Sequence, residues 1–182
     1  MSDRPTADVS VRTAWGADAD AIGRLQVRAW QESYVGVVPS EVLATLPADA
    51  FAEQWHRSIT RPREARERVL VALERATVRG FVATAPAKDI DADPGADGEI
   101  VELVVDPEYR GSGHGSRLVH AAVDTLRADK FQRATVWLNA SADDLRAFLV
   151  AQGWDADGGH RELDLDGDGA VRVKQVRLHT AL

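Results

Sequence analysis

Glu99-Ile-Val-Glu-Leu-Val-Val-Asp-Pro-Glu-Tyr-Arg-Gly-Ser-Gly-His-Gly-Ser116 is the stretch on which the fold turns. Its apolar first half, Glu99 to Val105, predicts a strand that ends at Pro107. From Gly113 to Asp129 the apolar residues Leu118, Val119, Ala122, Val123 and Leu126 recur at helical spacing, so a helix opens inside the loop. Strand, glycine loop and helix therefore follow one another directly. Gly111, Gly113 and Gly115 let backbone N–H groups converge without Cβ obstruction, and the helix N-terminus adds partial positive charge. Together they predict an anion cradle that suits a pyrophosphate. Arg110 adds a charge-assisted contact at its entrance and Ser112 and Ser116 offer hydroxyls, while His114 contributes through its backbone.

Two phosphate-binding motifs are excluded. The dinucleotide fingerprint G-x-G-x-x-G fails because Ser116 holds the place of its third glycine, and a P-loop fails for want of the Gly-Lys-Ser/Thr ending. Working outward, Val9 to Ala14 reads as a first strand and Asp18 to Tyr34 as a helix with Ala21, Ile22, Leu25, Ala29 and Trp30 on one stripe, ended by Gly36. A short helix from Pro39 to Leu46 and a third from Pro47 follow, the latter with Phe51 and Trp55 four apart. Arg68–Glu74 and Thr77–Ala87 predict an antiparallel hairpin, with Gly80 marking a weak point or bulge. Lys88 to Gly98 contains four aspartates with Pro94 and Gly95 and reads as a mobile loop. Beyond the glycine-loop helix come a strand at Ala134–Leu138, a helix at Asp143–Gln152 stopped by Gly153, and a hairpin of Gly158–Leu165 with Val171–Leu178. Asp164 to Gly169 is its turn: the spacing resembles half an EF-hand loop, but position twelve is Gln175. One crossover helix inside an otherwise hairpin-built order predicts a mixed α/β sheet.

The chain has 182 residues, 45% of them hydrophobic and 28% charged, which predicts one soluble domain spanning residues 1–182. A net charge of -7 disfavours nucleic acid and favours cationic partners. With no cysteines, disulfides, thiolate metal sites and a cysteine nucleophile are excluded together. The five histidines show no ligand spacing, so no metal is expected. Residues 1–11 make no apolar leader and no run is long enough to span a membrane, so the expected compartment is the cytoplasm.

Val105-Asp-Pro-Glu-Tyr-Arg110-Gly-Ser-Gly-His-Gly115 resembles the R/Q-x-x-G-x-G/A signature of the GNAT superfamily of N-acetyltransferases. Ala29-Trp-Gln-Glu-Ser-Tyr-Val-Gly36 with Pro39 is similar to the W-Q-x-x-Y-x-G-x-x-P segment of many such enzymes, and Phe148 with Gly153-Trp154 to their F-Y-x-x-x-G-F. The resemblance implies a mostly antiparallel mixed sheet flanked by helices, with a splayed parallel strand pair that admits acetyl-CoA. It places Leu103, Val104 and Val105 along the pantetheine and Arg110, Gly111, Ser112, Gly113, His114, Gly115 and Ser116 at the pyrophosphate. It implies acetyl transfer to a primary amine, on a small molecule or a protein N-terminus, by direct attack in a ternary complex. Homodimers are common among such proteins.

Two positions depart from the family pattern. Ala142 stands where an asparagine is usual, a role Asn139 is near enough to take, and Leu149 stands where a tyrosine usually protonates the departing thiolate. For the base, Glu99 lies eleven residues before Arg110, where several members place a catalytic glutamate, and Glu102 lies three further on. Strand alternation sends the two to opposite faces unless a bulge intervenes, so one of them lines the cleft, with Glu99 favoured. The departures leave a rival open: a non-catalytic acyl-CoA-binding or sensor protein of the same fold. A nucleotide-phosphate protein ranks below both.

Overall fold

A computed structural model of the chain describes residues 9–182. The leader reading falls largely on residues 1–8, outside the described residues. Seven strands form one sheet: β1 (Val9–Thr13), β2 (Arg68–Glu74), β3 (Thr77–Pro86), β4 (Asp97–Val105), β5 (Arg133–Asn139), β6 (Asp155–Asp164) and β7 (Arg172–Ala181). Five helices accompany them: α1 (Ala19–Ser33), α2 (Ser40–Ala44), α3 (Ala48–Thr60), α4 (His114–Ala128) and α5 (Asp143–Ala151). The strand order is β1-β2-β3-β4-β5-β7-β6. Every neighbouring pair is antiparallel except β4 and β5, which α4 connects as a crossover.

Both faces of the sheet are covered because both carry apolar rows. Leu118, Val119, Ala122 and Leu126 of α4 pack on Leu70, Ala72, Val82, Ile100 and Val136. On the other face, Ile22, Leu25 and Ala29 of α1, with Trp55 and Ile59 of α3, cover Val69, Val71, Phe81, Ala83 and Val104. Burying one such large side chain contributes about 1.5–3 kcal/mol, so these two layers fix the frame that holds the loops. Among the described residues no helix is long and apolar enough to cross a membrane.

The structure corrects three expectations. The β3–β4 loop is not free. Arg177 on β7 binds Asp89 at 3.0 Å and Asp91 at 2.7 Å, and the Trp137 indole N–H donates to Asp89 at 3.0 Å. Aspartates that read as loop composition are partners of a guanidinium some eighty residues away. Second, β6 begins at Asp155 rather than Gly158, because an irregularity in its pairing between Ala156 and His160 hides the two-residue period. Third, β4 does not alternate cleanly: Ala83 opposes Glu102 while Thr84 opposes Ile100, which leaves Val101 as a bulge.

Candidate active site

β4 and β5 pair at four positions only, Asp97 with Arg133 through Ile100 with Val136. Beyond Ile100 they part. β4 stays with β3 as far as Val105, and β5 stays with β7 as far as Asn139. A wedge opens between them, and the backbone of residues 101–105 has no strand partner on that side. Val101, apolar and in a central strand, is 53% exposed for this reason.

The bulge decides where the carboxylates point. Three residues apart on a regular strand, Glu99 and Glu102 would face opposite ways. One extra residue between them restores the phase, so both sit on the face that Ala83 shares with α1 and α3. Their positions along the wedge differ. Glu99 pairs with Thr135 in the closed part, whereas Glu102 lies past the point of parting. Burial pushes the Glu102 carboxyl up to about 7. Burial also raises Glu99; the negative charge of Asp89 adds to the shift, and Arg161 and Lys88 oppose it.

At the other end of β4 the chain turns through Pro107–Tyr109 into the glycine loop. Asp106 holds that turn: it is 2% exposed, and its carboxylate accepts from Arg28 at 3.0 Å and from the Glu108 N–H at 3.3 Å. Gly111 and Gly113 take φ of +77° and +82°, the left-handed region that other L-residues enter only at a cost. Gly113 is the N-cap of α4, so the first N–H groups of that helix face the loop. A Cβ on Gly115 would meet the Phe148 ring of α5 at 3.3 Å. Backbone thus lines this end, as its sequence predicts.

The side chains there are arranged less simply. Arg110 is engaged with Glu32 at the end of α1, at 2.6 Å, and both are about half exposed. His114 turns its ring into the core, 2% exposed, with Nδ1 unpartnered; burial lowers its pKa and keeps it neutral. Only its backbone faces the loop. Ser112 is exposed, Ser116 is partly buried, and the Ser112 carbonyl accepts from Arg117 at 3.3 Å. Leu103 and Val105 pack toward α4, and Val104 toward α1.

The wide end of the wedge is built from side chains of distant elements. Asn139, the last residue of β5, accepts from Gln175 Nε2 at 3.1 Å, and Gln175 Oε1 accepts from Arg161 Nε at 2.8 Å. Arg161 lies 4.2 Å over the Trp137 ring and 3.7 Å from Asp89. Tyr34, just past the C-terminus of α1, is buried against Leu43 and Val173, and burial raises its phenol above the ordinary value. Leu149 is fully buried in the α4 core layer, and Ala142 sits at the N-cap position of α5. Neither offers a polar atom to the wedge.

Of the residues singled out from sequence, Glu102 and Asn139 lie past the parting of β4 and β5 and the favoured Glu99 lies before it, while Gln175, Arg161 and Trp137, which sequence reading misses, stand beside Asn139. One signal was present. On β7, Gln175 and Arg177 alternate with Val176 and Leu178, and the polar face, which passes for solvated, is in fact covered.

A mixed sheet that parts midway along its one parallel pair is the architecture of the N-acetyltransferases. PaiA N-acetyltransferase from Thermoplasma acidophilum, solved in complex with coenzyme A, matches with a TM-score of 0.74 at 15% identity, covering 96% of this chain and 99% of that one. A ribosomal-protein-alanine N-acetyltransferase from Brucella melitensis matches with a TM-score of 0.73 at 20% identity, covering 95% and 99%. In sequence, the uncharacterized N-acetyltransferase YuaI of Bacillus subtilis (strain 168) is 27% identical over 132 residues, 71% of each chain. The model of the acetyltransferase (GNAT) family matches residues 25–154. The chain belongs to the GNAT family of acetyltransferases.

Proposed function

We propose that the chain, acting as a single domain, transfers an acetyl group from acetyl-CoA to a primary amine by direct attack in a ternary complex. The observation that carries this reading is the parting of β4 from β5 after four pairs, which bares the edge of the strand that feeds the glycine loop. The bare backbone at Leu103, Val104 and Val105 offers hydrogen bonds to an amide-bearing pantetheine arm. Residues 110–116 offer N–H groups to the diphosphate.

Glu102 is the base. It stands in the open part of the wedge, and a carboxyl that titrates near 7 matches the removal of a proton from an arriving ammonium near neutral pH. Glu99, in the closed part and flanked by Asp89 and Arg161, shapes the field that draws the cation. The freed amine attacks the thioester carbonyl, C–N forms and C–S breaks, the surplus proton on the new amide nitrogen passes to the departing thiolate, and the proton on Glu102 leaves to solvent. Holding amine and carbonyl about 3 Å apart supplies much of the rate.

Calorimetric titration with coenzyme A tests the site: heat with one-to-one stoichiometry is expected, and its absence refutes the assignment. A panel of polyamines, aminoglycosides, amino-acid derivatives and peptides with free N-termini, scored by thiol release from acetyl-CoA, tests the reaction. The burial of Leu149 favours a second reading, an acyl-CoA-binding sensor; binding without release on any amine selects it.

A further inference from the structure

A cavity of about 420 Å³ opens between α1, the first residues of β3 and the turn after β4. Arg24 and Arg28 of α1 and Asp106 and Glu108 of the turn line it, with Ala21, Leu25, Ala48 and Val78 as apolar wall. Arg79, also in the wall, lies about 13 Å along β3 from Ala83, the partner of Glu102, so this space is separate from the amine end of the wedge. Arg24 and Arg28 stand one helical turn apart on α1, where like charges share a face and repel. Asp106 answers only one of them: its carboxylate, 3% exposed, meets Arg28 at 3.0 Å. Arg79 is engaged elsewhere, with Glu74 at 3.2 Å and over the Tyr109 ring at 3.5 Å. Among the described residues Arg24 has no ion pair.

A carboxylate with an apolar body answers each of these features. Its oxygens accept from the two guanidiniums and its carbon chain covers the apolar wall. Glu108, which also lacks an ion pair among the described residues, repels a second negative charge and so selects a monocarboxylate over a phosphate dianion. Arg28 is at the same time the support of Asp106, and Asp106 braces the turn that leads into Arg110. Its carboxylate accepts from the Glu108 N–H at 3.3 Å, its carbonyl accepts from the Tyr109 N–H at 2.8 Å, and its own N–H donates to the Arg79 carbonyl at 2.8 Å. An anion that draws Arg28 away leaves a buried carboxylate less well held and loosens the loop behind it. We propose that this cavity binds a small organic monocarboxylate through Arg24 and Arg28, and that its occupancy weakens coenzyme A binding through Asp106. The second half rests on the reading above, in which residues 110–116 hold the diphosphate.

Hexanoate is the probe, with hexanamide as its uncharged control at matched ionic strength. In amide-resolved NMR spectra of the full chain, hexanoate should shift residues around 24–28, 77–79 and 106–109 saturably, and hexanamide should leave them unmoved. Arg24→Gln, an exposed change to a good helix former, should weaken that response about tenfold. No saturable shift at these residues, or an equal response to hexanamide or in Arg24→Gln, overturns the site. By calorimetry, the Kd for coenzyme A should rise about fivefold with increasing hexanoate and then reach a plateau, and Arg24→Gln should need more hexanoate to get there. An unchanged Kd overturns the coupling. A Kd that climbs without a plateau, with shifts confined to residues 110–116, means that hexanoate occupies the diphosphate cradle, and the proposal falls. A chain that answers hexanoate as expected but gives no heat with coenzyme A alone refutes the transferase reading instead, and the carboxylate site stands without it.

Discussion

The glycine-loop side and the amine side of the opening are made from different materials. At the glycine loop, one run of seven residues, 110–116, presents backbone N–H groups, and the side chains there face elsewhere: Arg110 toward Glu32, His114 into the core. At the amine end, Glu102, Asn139, Gln175 and Arg161 come from four strands, and the last three orient one another through hydrogen bonds. A site made of backbone is set by local conformation and tolerates change in its side chains. A site made of distributed side chains is set by the whole fold, and a substitution far from the chemistry disturbs it. The two ends should therefore fail separately, one in cofactor affinity and the other in turnover.

The largest separation is expected from Glu102→Gln. Turnover should fall by about 10²–10⁴-fold with coenzyme A affinity unchanged, and the rise of kcat through pH 7 should disappear. Stability should move the other way. The folded carboxyl binds its proton more tightly than the unfolded one, whose value is near 4.5, so the native state is progressively destabilised as pH climbs from about 4.5 to about 7. Glutamine removes that penalty. Denaturant melts at pH 8 should show the variant more stable by on the order of 1–3 kcal/mol, and equal stability at both pH 4 and pH 8 would mean that the carboxyl is not desolvated.

Arg177→Gln probes how far the wide end depends on distant support. The guanidinium is 8% exposed and joins Asp89, Asp91 and Asp157, so its loss takes the ion-pair partner from Asp91 and leaves Asp89 to Arg161 and Asp157 to Arg133. About 3 kcal/mol of stability should go, by analogy with broken buried pairs. The amine KM should rise while coenzyme A affinity holds. The parent should also lose stability in acid. Asp157 and Asp91 titrate below the usual 3.8, Asp91 at about 2, so their contribution is present above that ordinary value and drains as pH falls toward 2. That acid step should be shallower in Arg177→Gln.

Gly113→Val addresses the glycine-loop side. Left-handed backbone costs a side-chain-bearing residue roughly 1–2 kcal/mol, which shifts the loop away from its cradle geometry. Coenzyme A affinity should fall about tenfold, read by calorimetry, with little change in kcat at saturation. A fall in kcat at unchanged affinity would dissolve the distinction between the two ends.

The same contrast explains what the sequence discloses. The glycine loop and the passage from strand to helix are local patterns, and residues 99–116 carry them almost unaided. The bulge at Val101 is invisible because Ile100-Val101-Glu102 looks regular until Ala83 and Thr84 stand opposite it. Tyr34 reads as core because it is core, apart from one oxygen. The aspartates of the β3–β4 loop read as solvated because Arg177, their partner, lies in β7.

Arg110→Ala is the smallest and most discriminating change. If the glycine-loop side is chiefly backbone, the guanidinium contributes a screened surface charge and no more. Its present partner is Glu32, and exposed pairs of this kind contribute about 0–1 kcal/mol, so the melting temperature should hardly move. Coenzyme A affinity should drop only a few-fold, and the drop should vanish as salt is raised, since a charge in open solvent is screened within about 10 Å at 0.1 M. A loss of a hundredfold that survives high salt would show that Arg110 leaves Glu32 and closes on the diphosphate. The glycine-loop side would then also depend on a long-range side chain, and the two sides of the opening would obey one rule instead of two.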